Sequence, residues 1–296
     1  MLEIIGIGAL NMDKLYLVER IAKPGEEVRV DEVSEQPGGS AANTIAGLAI
    51  LGVKTGFIGR VGNDADGARL RMELEKNGVN TQGIEIAPGK TGIATVFVER
   101  SGERTMYVYP GANDELRITP ENRSYAKSAR WLHLSSFVGE DPFEMQKNIL
   151  RGAEPKISFA PGMLYAQKGI DALQEIIAQA EIVFLNRDEI KMLTGLSYRD
   201  GAERLNEIGA AVVVVTLGKD GCYIHTYDTK TTVPGYAANV VDTTGAGDAF
   251  CAGFLCGCLN GKPLDECGRT GNRVAARCVE AVGARTGFSR ATIAMS

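Results

Sequence analysis

The sequence predicts an α/β protein: a doubly wound, mainly parallel sheet with helices on both faces, carrying a second, small β-sheet. Three observations predict it. From Trp131 onward, apolar strand-like runs alternate with helical ones, the order that generates parallel strands joined by crossover helices. The opening run, Leu2-Glu-Ile-Ile-Gly-Ile-Gly8, is apolar almost throughout, as a central strand buried on both faces is. Lys14–Val18 and Glu27–Val33 alternate with period two instead, so each has one apolar and one polar face and belongs to a small antiparallel sheet.

The elements follow in order. Pro37-Gly-Gly-Ser-Ala-Ala-Asn43 opens a helix that runs to about Leu51, with Ser40 expected as its N-cap. A strand over Thr55–Gly59 and a helix over Asp66–Asn77 come next. Thr91–Val98 and Arg104–Tyr109 form a hairpin turning at Ser101-Gly102, by the turn chemistry of those residues. Strands are then expected at 131–135, 156–160, 181–185 and 211–217, with helices near 142–152, 167–179, 187–194 and 199–208. Cys222–Thr226 and Thr231–Val233 are short strands. Ala249–Leu259 is apolar on nearly every face, which marks a buried helix, and a last helix runs from Leu264 to about Val282.

Composition narrows the function classes. A chain of 296 residues, 44% hydrophobic, can bury a large core, and no internal repeat or low-complexity linker divides it. Its net charge of −5 is spread without a basic run, which argues against nucleic acid or an anionic membrane as partner. No apolar stretch approaches the roughly 20 residues of a membrane span. An acid, Glu3, stands where a signal peptide carries lysines. The six cysteines include no Cys-x-x-Cys, and with His133 and His225 as the only imidazoles they fit buried reduced thiols better than a zinc site. These features together point to a cytoplasmic protein.

The chemistry concentrates in Val241-Asp-Thr-Thr-Gly-Ala-Gly-Asp-Ala-Phe250. Two glycines one residue apart let the backbone turn tightly before the buried helix, whose first-turn N–H groups and dipole favour an anion. Asp248 sits at the rim of that pocket, where a carboxylate repels phosphate unless it has a task, such as taking a proton from an attacking hydroxyl. Helix capping is the commoner use of such an aspartate. Asp242, six positions earlier on the same loop, adds a second acid. Elsewhere, Gly6-x-Gly8 suggests a dinucleotide fingerprint, but Asn11 occupies the third glycine position. No Walker A loop exists, since Gly89-Lys90-Thr91 lacks the earlier glycine.

The 241–250 stretch resembles the carboxy-terminal signature of the ribokinase-like (PfkB) kinase family, Asp-Thr-x-Gly-Ala-Gly-Asp-x-Phe. Gly38-Gly39 with Asn43 resembles its amino-terminal signature, about 200 residues earlier, and the likeness covers the full length. The resemblance implies one ribokinase-like kinase domain over 1–296, with a small β-sheet lid whose strands lie within about 14–34 and 91–109. It implies transfer of the γ-phosphate of ATP to a hydroxyl of a sugar, sugar phosphate or nucleoside. Asp248 is then the base, and Gly245, Ala246, Gly247 and the Asp248 N–H form an anion hole. Asp13, Gly39 and Asn43 face the acceptor, with Asn11 and Asn113 as further candidates. Asn186, Thr216, Gly218, Gly221 and Asn272 face the nucleotide. Glu189 helps to hold hydrated Mg²⁺, for which one carboxylate suffices because that ion keeps most of its waters. A monovalent cation is left open.

Two departures bear on the acceptor. Leu132-His-Leu-Ser-Ser-Phe137 lacks the sugar-binding glutamate of ribokinase proper, and Ser158-Phe-Ala-Pro-Gly162 replaces the Asn-Pro-Asn of many sugar kinases. Ribose itself is thereby less favoured, and nucleosides stay open. The one-sided alternation of the lid strands requires their apolar side to cover the substrate cleft or a second subunit in a homodimer.

Overall fold

The computed structural model describes residues 1–100, 104–152 and 154–294. The first half of the chain runs β1 (Leu2–Ile7), β2 (Asn11–Val18), β3 (Val30–Gly38), α1 (Ser40–Ile50), β4 (Thr55–Gly62), α2 (Ala65–Lys76), β5 (Asn80–Ala87), β6 (Gly92–Glu99), β7 (Arg104–Tyr109), α3 (Pro120–Lys127) and β8 (Ala129–Ser135). The second half runs α4 (Glu140–Leu150), β9 (Lys156–Ala160), α5 (Gly162–Ala166), α6 (Ile170–Ile177), β10 (Ala180–Asn186), α7 (Arg187–Thr194), α8 (Tyr198–Ile208), β11 (Val212–Thr216), β12 (Cys222–His225), β13 (Lys230–Val233), α9 (Ala246–Leu259), α10 (Leu264–Cys278) and α11 (Arg290–Ala294).

The large sheet has the order β13-β12-β11-β10-β9-β8-β1-β4-β5. Its strands from β11 to β5 are parallel, and β12 and β13 add an antiparallel edge. Helices cover both faces, so successive residues of one strand enter different cores. Val212 and Val214 join Phe184, Phe250 and Phe254 on one side. Val213 and Val215 join Phe159, Val183 and Leu185 on the other. Each such side chain contributes about 1.5–3 kcal/mol on leaving water, and the polar side chains His133 and Ser158 of β8 and β9 are buried as a hydrogen-bonded pair at 2.9 Å. Helix α9 packs against both α1 and α10, and its buried residues fall on every face. Among the described residues, no helix is long and apolar enough to cross a membrane.

The small sheet has the order β3-β2-β6-β7. Its outer pairs are antiparallel as expected, but the central pair β2–β6 is parallel, with Asp13 opposite Ala94. Period-two alternation marks which face a residue takes and carries nothing about strand direction. Strand β2 also starts earlier than expected and takes in Asn11 and Asp13, whereas β3 starts later, at Val30, and runs to Gly38. The expected turn at Ser101-Gly102 lies outside the described residues.

Other corrections have local causes. Strand β5 and helices α3, α5 and α11 were not expected; β5 opens Asn-Thr-Gln-Gly, too polar to stand out, and forms an edge of the sheet. Helix α10 ends at Cys278 and not near Val282. The N-cap of α1 is Gly39 and not Ser40. Gly39 takes φ 102°, and a Cβ there would collide with the Ala9 carbonyl, so glycine is required where β1's exit and α1's start nearly touch.

Candidate active site

The parallel strands of the large sheet deliver their carboxyl ends to one edge, from which β1 leads into the small sheet and β10 into α7. At the start of α9, Asp242 shapes the loop: its carboxylate accepts from the Thr244 N–H at 2.8 Å and the Gly283 N–H at 2.9 Å. Burial alone would raise its pKa, but the hydrogen bonds from Thr244 and Gly283 outweigh that and hold it below the ordinary value. Gly245 caps α9 at φ 73°, and a Cβ there would collide with Ala284. That contact lets the 283–285 segment close against the helix end.

The Ala246 N–H donates to the Thr243 carbonyl at 3.2 Å. Among the described residues, none accepts from the N–H of Gly245, Gly247 or Asp248, and space is open in front of Gly247. The N–H groups of Gly245, Gly247 and Asp248 are thus left unfilled, while that of Ala246 is spent on the turn. A helix start with three unfilled donors suits phosphate oxygens.

Asp248 does not cap its helix. Its Oδ1 accepts from Ser40 Oγ at 2.7 Å and its Oδ2 from Asn43 Nδ2 at 2.9 Å, both from α1. Burial pushes its carboxyl up to about 6, opposed by the bonds from Asn43 and Ser40 and by the charge of Arg285. Ser40, the expected cap, instead holds this carboxylate.

Asp13, expected at the acceptor, lies close against Gly38, where a Cβ would collide with its carboxyl group. Burial pushes Asp13 up to about 7, with Arg285 opposing and Asp248 reinforcing the shift. Asp13 shares its sheet face with Leu15, Val96 and Met106 by register. Asn43 uses both ends of its amide, since Arg285 Nε donates to its Oδ1 at 2.9 Å. Asn113 is buried, and its amide is taken up by the chain itself: Nδ2 donates to Leu10 O, Asn11 Oδ1 and Pro110 O, and Oδ1 accepts from Leu10 N–H. It braces β2 against the turn after β7.

A cleft of about 750 Å³ opens beside Gly247 and is lined by Thr216, Gly218, Gly221, Tyr236, Val240, Phe250, Asn272 and Val279. Gly218 and Gly221 take positive φ in the turn after β11. Asn272 donates to the Val233 and Pro234 carbonyls at 3.2 and 3.0 Å, so it fixes the wall that carries Tyr236. Asn186 and Glu189 form a capping box on α7: Asn186 Oδ1 accepts from the Asp188 and Glu189 N–H, and Glu189 Oε2 accepts from the Asn186 N–H. Burial raises the Glu189 pKa, the Asn186 bond opposes this, and Asp248 and Asp188 add to it. Among the described residues, no group of three His, Cys, Asp or Glu side chains could cage a metal. Glu189 still offers one half-buried carboxylate whose Oε1 meets no partner among the described residues, which fits an ion that keeps its waters.

Sequence reasoning missed Arg285 and the true partner of Ser40. The only local signal for Arg285 was its place in Gly283-Ala-Arg-Thr-Gly287, an arginine between turn-forming glycines.

Unfilled amides at a helix start, a carboxylate at their rim and a neighbouring cleft are the arrangement that phosphate transfer to an alcohol requires. The chain belongs to the pfkB family carbohydrate kinases, whose profile matches residues 1–291. It is 43% identical over 247 residues to an uncharacterized sugar kinase of Archaeoglobus fulgidus, covering 82% of this chain and 98% of that one. It is 31% identical over 277 residues to a cytidine kinase of Thermococcus kodakarensis, covering 92% and 94%. The structure of Arabidopsis thaliana ribokinase complexed with ribose and ATP superposes with a TM-score of 0.88 at 25% identity, covering 99% of this chain and 98% of that one. The protein is an ATP-dependent kinase that phosphorylates a hydroxyl of a sugar or related polyol.

Proposed function

We propose that Asp248 is the general base of this transfer. The observation that carries the assignment is that its carboxylate is held by Ser40 and Asn43 of another helix while the N–H groups around it stay unfilled. Asp248 takes the proton of the acceptor hydroxyl as that oxygen bonds to the γ-phosphorus. The bond from the γ-phosphorus to the β–γ bridging oxygen breaks, and ADP leaves. The Gly245, Gly247 and Asp248 N–H groups stabilise charge on the transferring group. The loose transition state asks little basicity of the carboxylate, and a group with a pKa of about 6 is mainly ionised at neutral pH. Glu189 would hold a hydrated Mg²⁺ beside the phosphates, and the ion, when bound, supplies neutralising charge to the triphosphate. The cleft lined by Thr216, Tyr236 and Val279 would take the adenosine moiety.

Asp13 supports acceptor binding through a hydroxyl, which fits a furanose or similar polyol. A nucleoside is the second reading, favoured by the apolar Leu15, Val96 and Met106 on the same sheet face as Asp13, which suit the flat face of a base. ADP release measured against D-ribose, other sugars, sugar phosphates and cytidine separates the two. Turnover confined to sugars retires the nucleoside reading, and absence of turnover with every acceptor contradicts the assignment.

A further inference from the structure

Arg285 is the one charged group of the acceptor half that the scheme above leaves without a task. It leaves the chain after α10, in the segment whose Gly283 N–H and Ala284 already pack on the Asp242 loop and on Gly245. Its Nε donates to Asn43 Oδ1, joining positions 242 residues apart. Its two terminal nitrogens are shut away from solvent and meet no acceptor among the described residues. The charged groups that face it are Asp13 from β2, Glu73 from α2 and Asp248 from α9. Burial brings its pKa down to about 10, so it is still a cation at neutral pH.

Two consequences follow from the chemistry of a guanidinium. First, it can only donate. The atom of the Asn43 amide that faces Arg285 must therefore be Oδ1, which leaves Nδ2 to face Asp248. Without Arg285 the amide is free to turn, and Oδ1 beside the Asp248 carboxylate would set two acceptors against each other. Second, buried donors without partners cost free energy, and the terminal pair of a guanidinium is a fork matched to oxygen. Asp13, whose charge acts on it most strongly, makes no hydrogen bond to it, so the chain itself leaves the fork unfilled.

Building on the kinase reading above, we propose that Arg285 is a positioning residue for the transfer: its terminal nitrogens donate to an oxygen of the acceptor, while its Nε sets the Asn43 amide that holds Asp248. One side chain then couples occupancy of the acceptor site to the orientation of the base.

The test is steady-state kinetics of Arg285→Met and Arg285→Lys with D-ribose and with cytidine, from about pH 5.5 to 8.5, with and without added guanidinium ion. Arg285→Met is expected to raise the acceptor KM about tenfold or more and to lower kcat by a similar factor, leaving the ATP KM within about threefold. Its acid limb in kcat/KM moves to higher pH, because the cation that opposes protonation of Asp13 and Asp248 is gone. Millimolar guanidinium restores part of the lost rate. Arg285→Lys keeps the charge and hence the pH limb, but a point donor replaces the fork, so the acceptor KM still rises. If melting shows the Met variant unfolded, the Lys variant carries the comparison, and unchanged acceptor KM in it overturns the proposal. So does a folded Met variant whose acceptor KM and pH limb stay within about twofold of the parent. A parent protein that releases no ADP with any of the acceptors fails the kinase reading itself, and the proposal falls with it.

Discussion

The two halves of the cleft are built on opposite plans. The nucleotide half is a cavity of about 750 Å³ with walls mainly of backbone, small and apolar residues and one charged side chain, Lys219, and its asparagines are satisfied within the chain: Asn272 by two carbonyls, Asn186 by its own helix start. The acceptor half holds Asp13, Asp248 and Arg285, with carboxyls raised to about 7 and about 6 and a guanidinium with unfilled nitrogens. The difference follows the ligands. A triphosphate brings its own charge, so uncharged N–H groups and a cation suffice for it. A neutral alcohol must be gripped and deprotonated, and the protein has to supply the charge.

Asp248→Asn tests that division most severely. Turnover is expected to fall roughly 10²–10⁴-fold, the range for loss of a general base, while ATP affinity stays within about threefold. If the aspartate served only the helix start, asparagine would replace it with little loss. Calorimetric ATP binding and initial rates on the same preparation decide between them.

Gly245→Ala strikes the nucleotide half through its backbone. A side chain at φ 73° against Ala284 is strained, and displacing that turn misaims the free amides. A loss of about 1–3 kcal/mol in urea unfolding and a rate fall of about 10²-fold are expected. An unchanged rate would mean that the anion hole does not depend on this turn.

Asp13→Asn should touch only the other half: acceptor KM up about tenfold, ATP KM unchanged. It also has a stability signature. Asp13 and Asp248 have folded pKa values above the ordinary carboxylate value, so the folded state binds protons that the unfolded chain releases. The stability this gives is complete below about pH 4 and is lost as pH rises through 6 to 7. The parent protein should therefore lose stability over that window. Asp13→Asn should lose less and be roughly 1–2 kcal/mol the more stable at pH 8, a figure kept well under the full linkage value because the cleft is open to water. Thermal melts from about pH 4 to 8 read both effects.

The same contrast explains what the sequence could disclose. The helix start at Gly245–Asp248 was legible because its determinants are local: glycines for the turn, an apolar run for the buried helix, an acid at the rim. The central strands were legible because burial on both faces leaves an apolar run. Arg285 was not, because nothing in chain order ties it to Asn43, 242 positions away. Ser40 was singled out for the wrong partner: its hydroxyl suits a helix cap, and only the packing of α1 on α9 brings Asp248 to it. The parallel β2–β6 pair was hidden because alternation is the same in either direction. That the buried amide of Asn113 also ties loop to strand was equally hidden, because its partners Leu10 and Asn11 lie about 100 positions away.

The division between the halves is tested most directly by pH. We would measure kcat/KM for the acceptor and Kd for Mg–ATP on the same protein from about pH 5 to 8.5. The acceptor term is expected to fall steeply below pH 6 to 7, as Asp248 and Asp13 take up protons, while Kd for Mg–ATP changes less than about threefold. An acceptor term that stays flat to pH 5, or an ATP affinity that falls in step with it, would contradict the account.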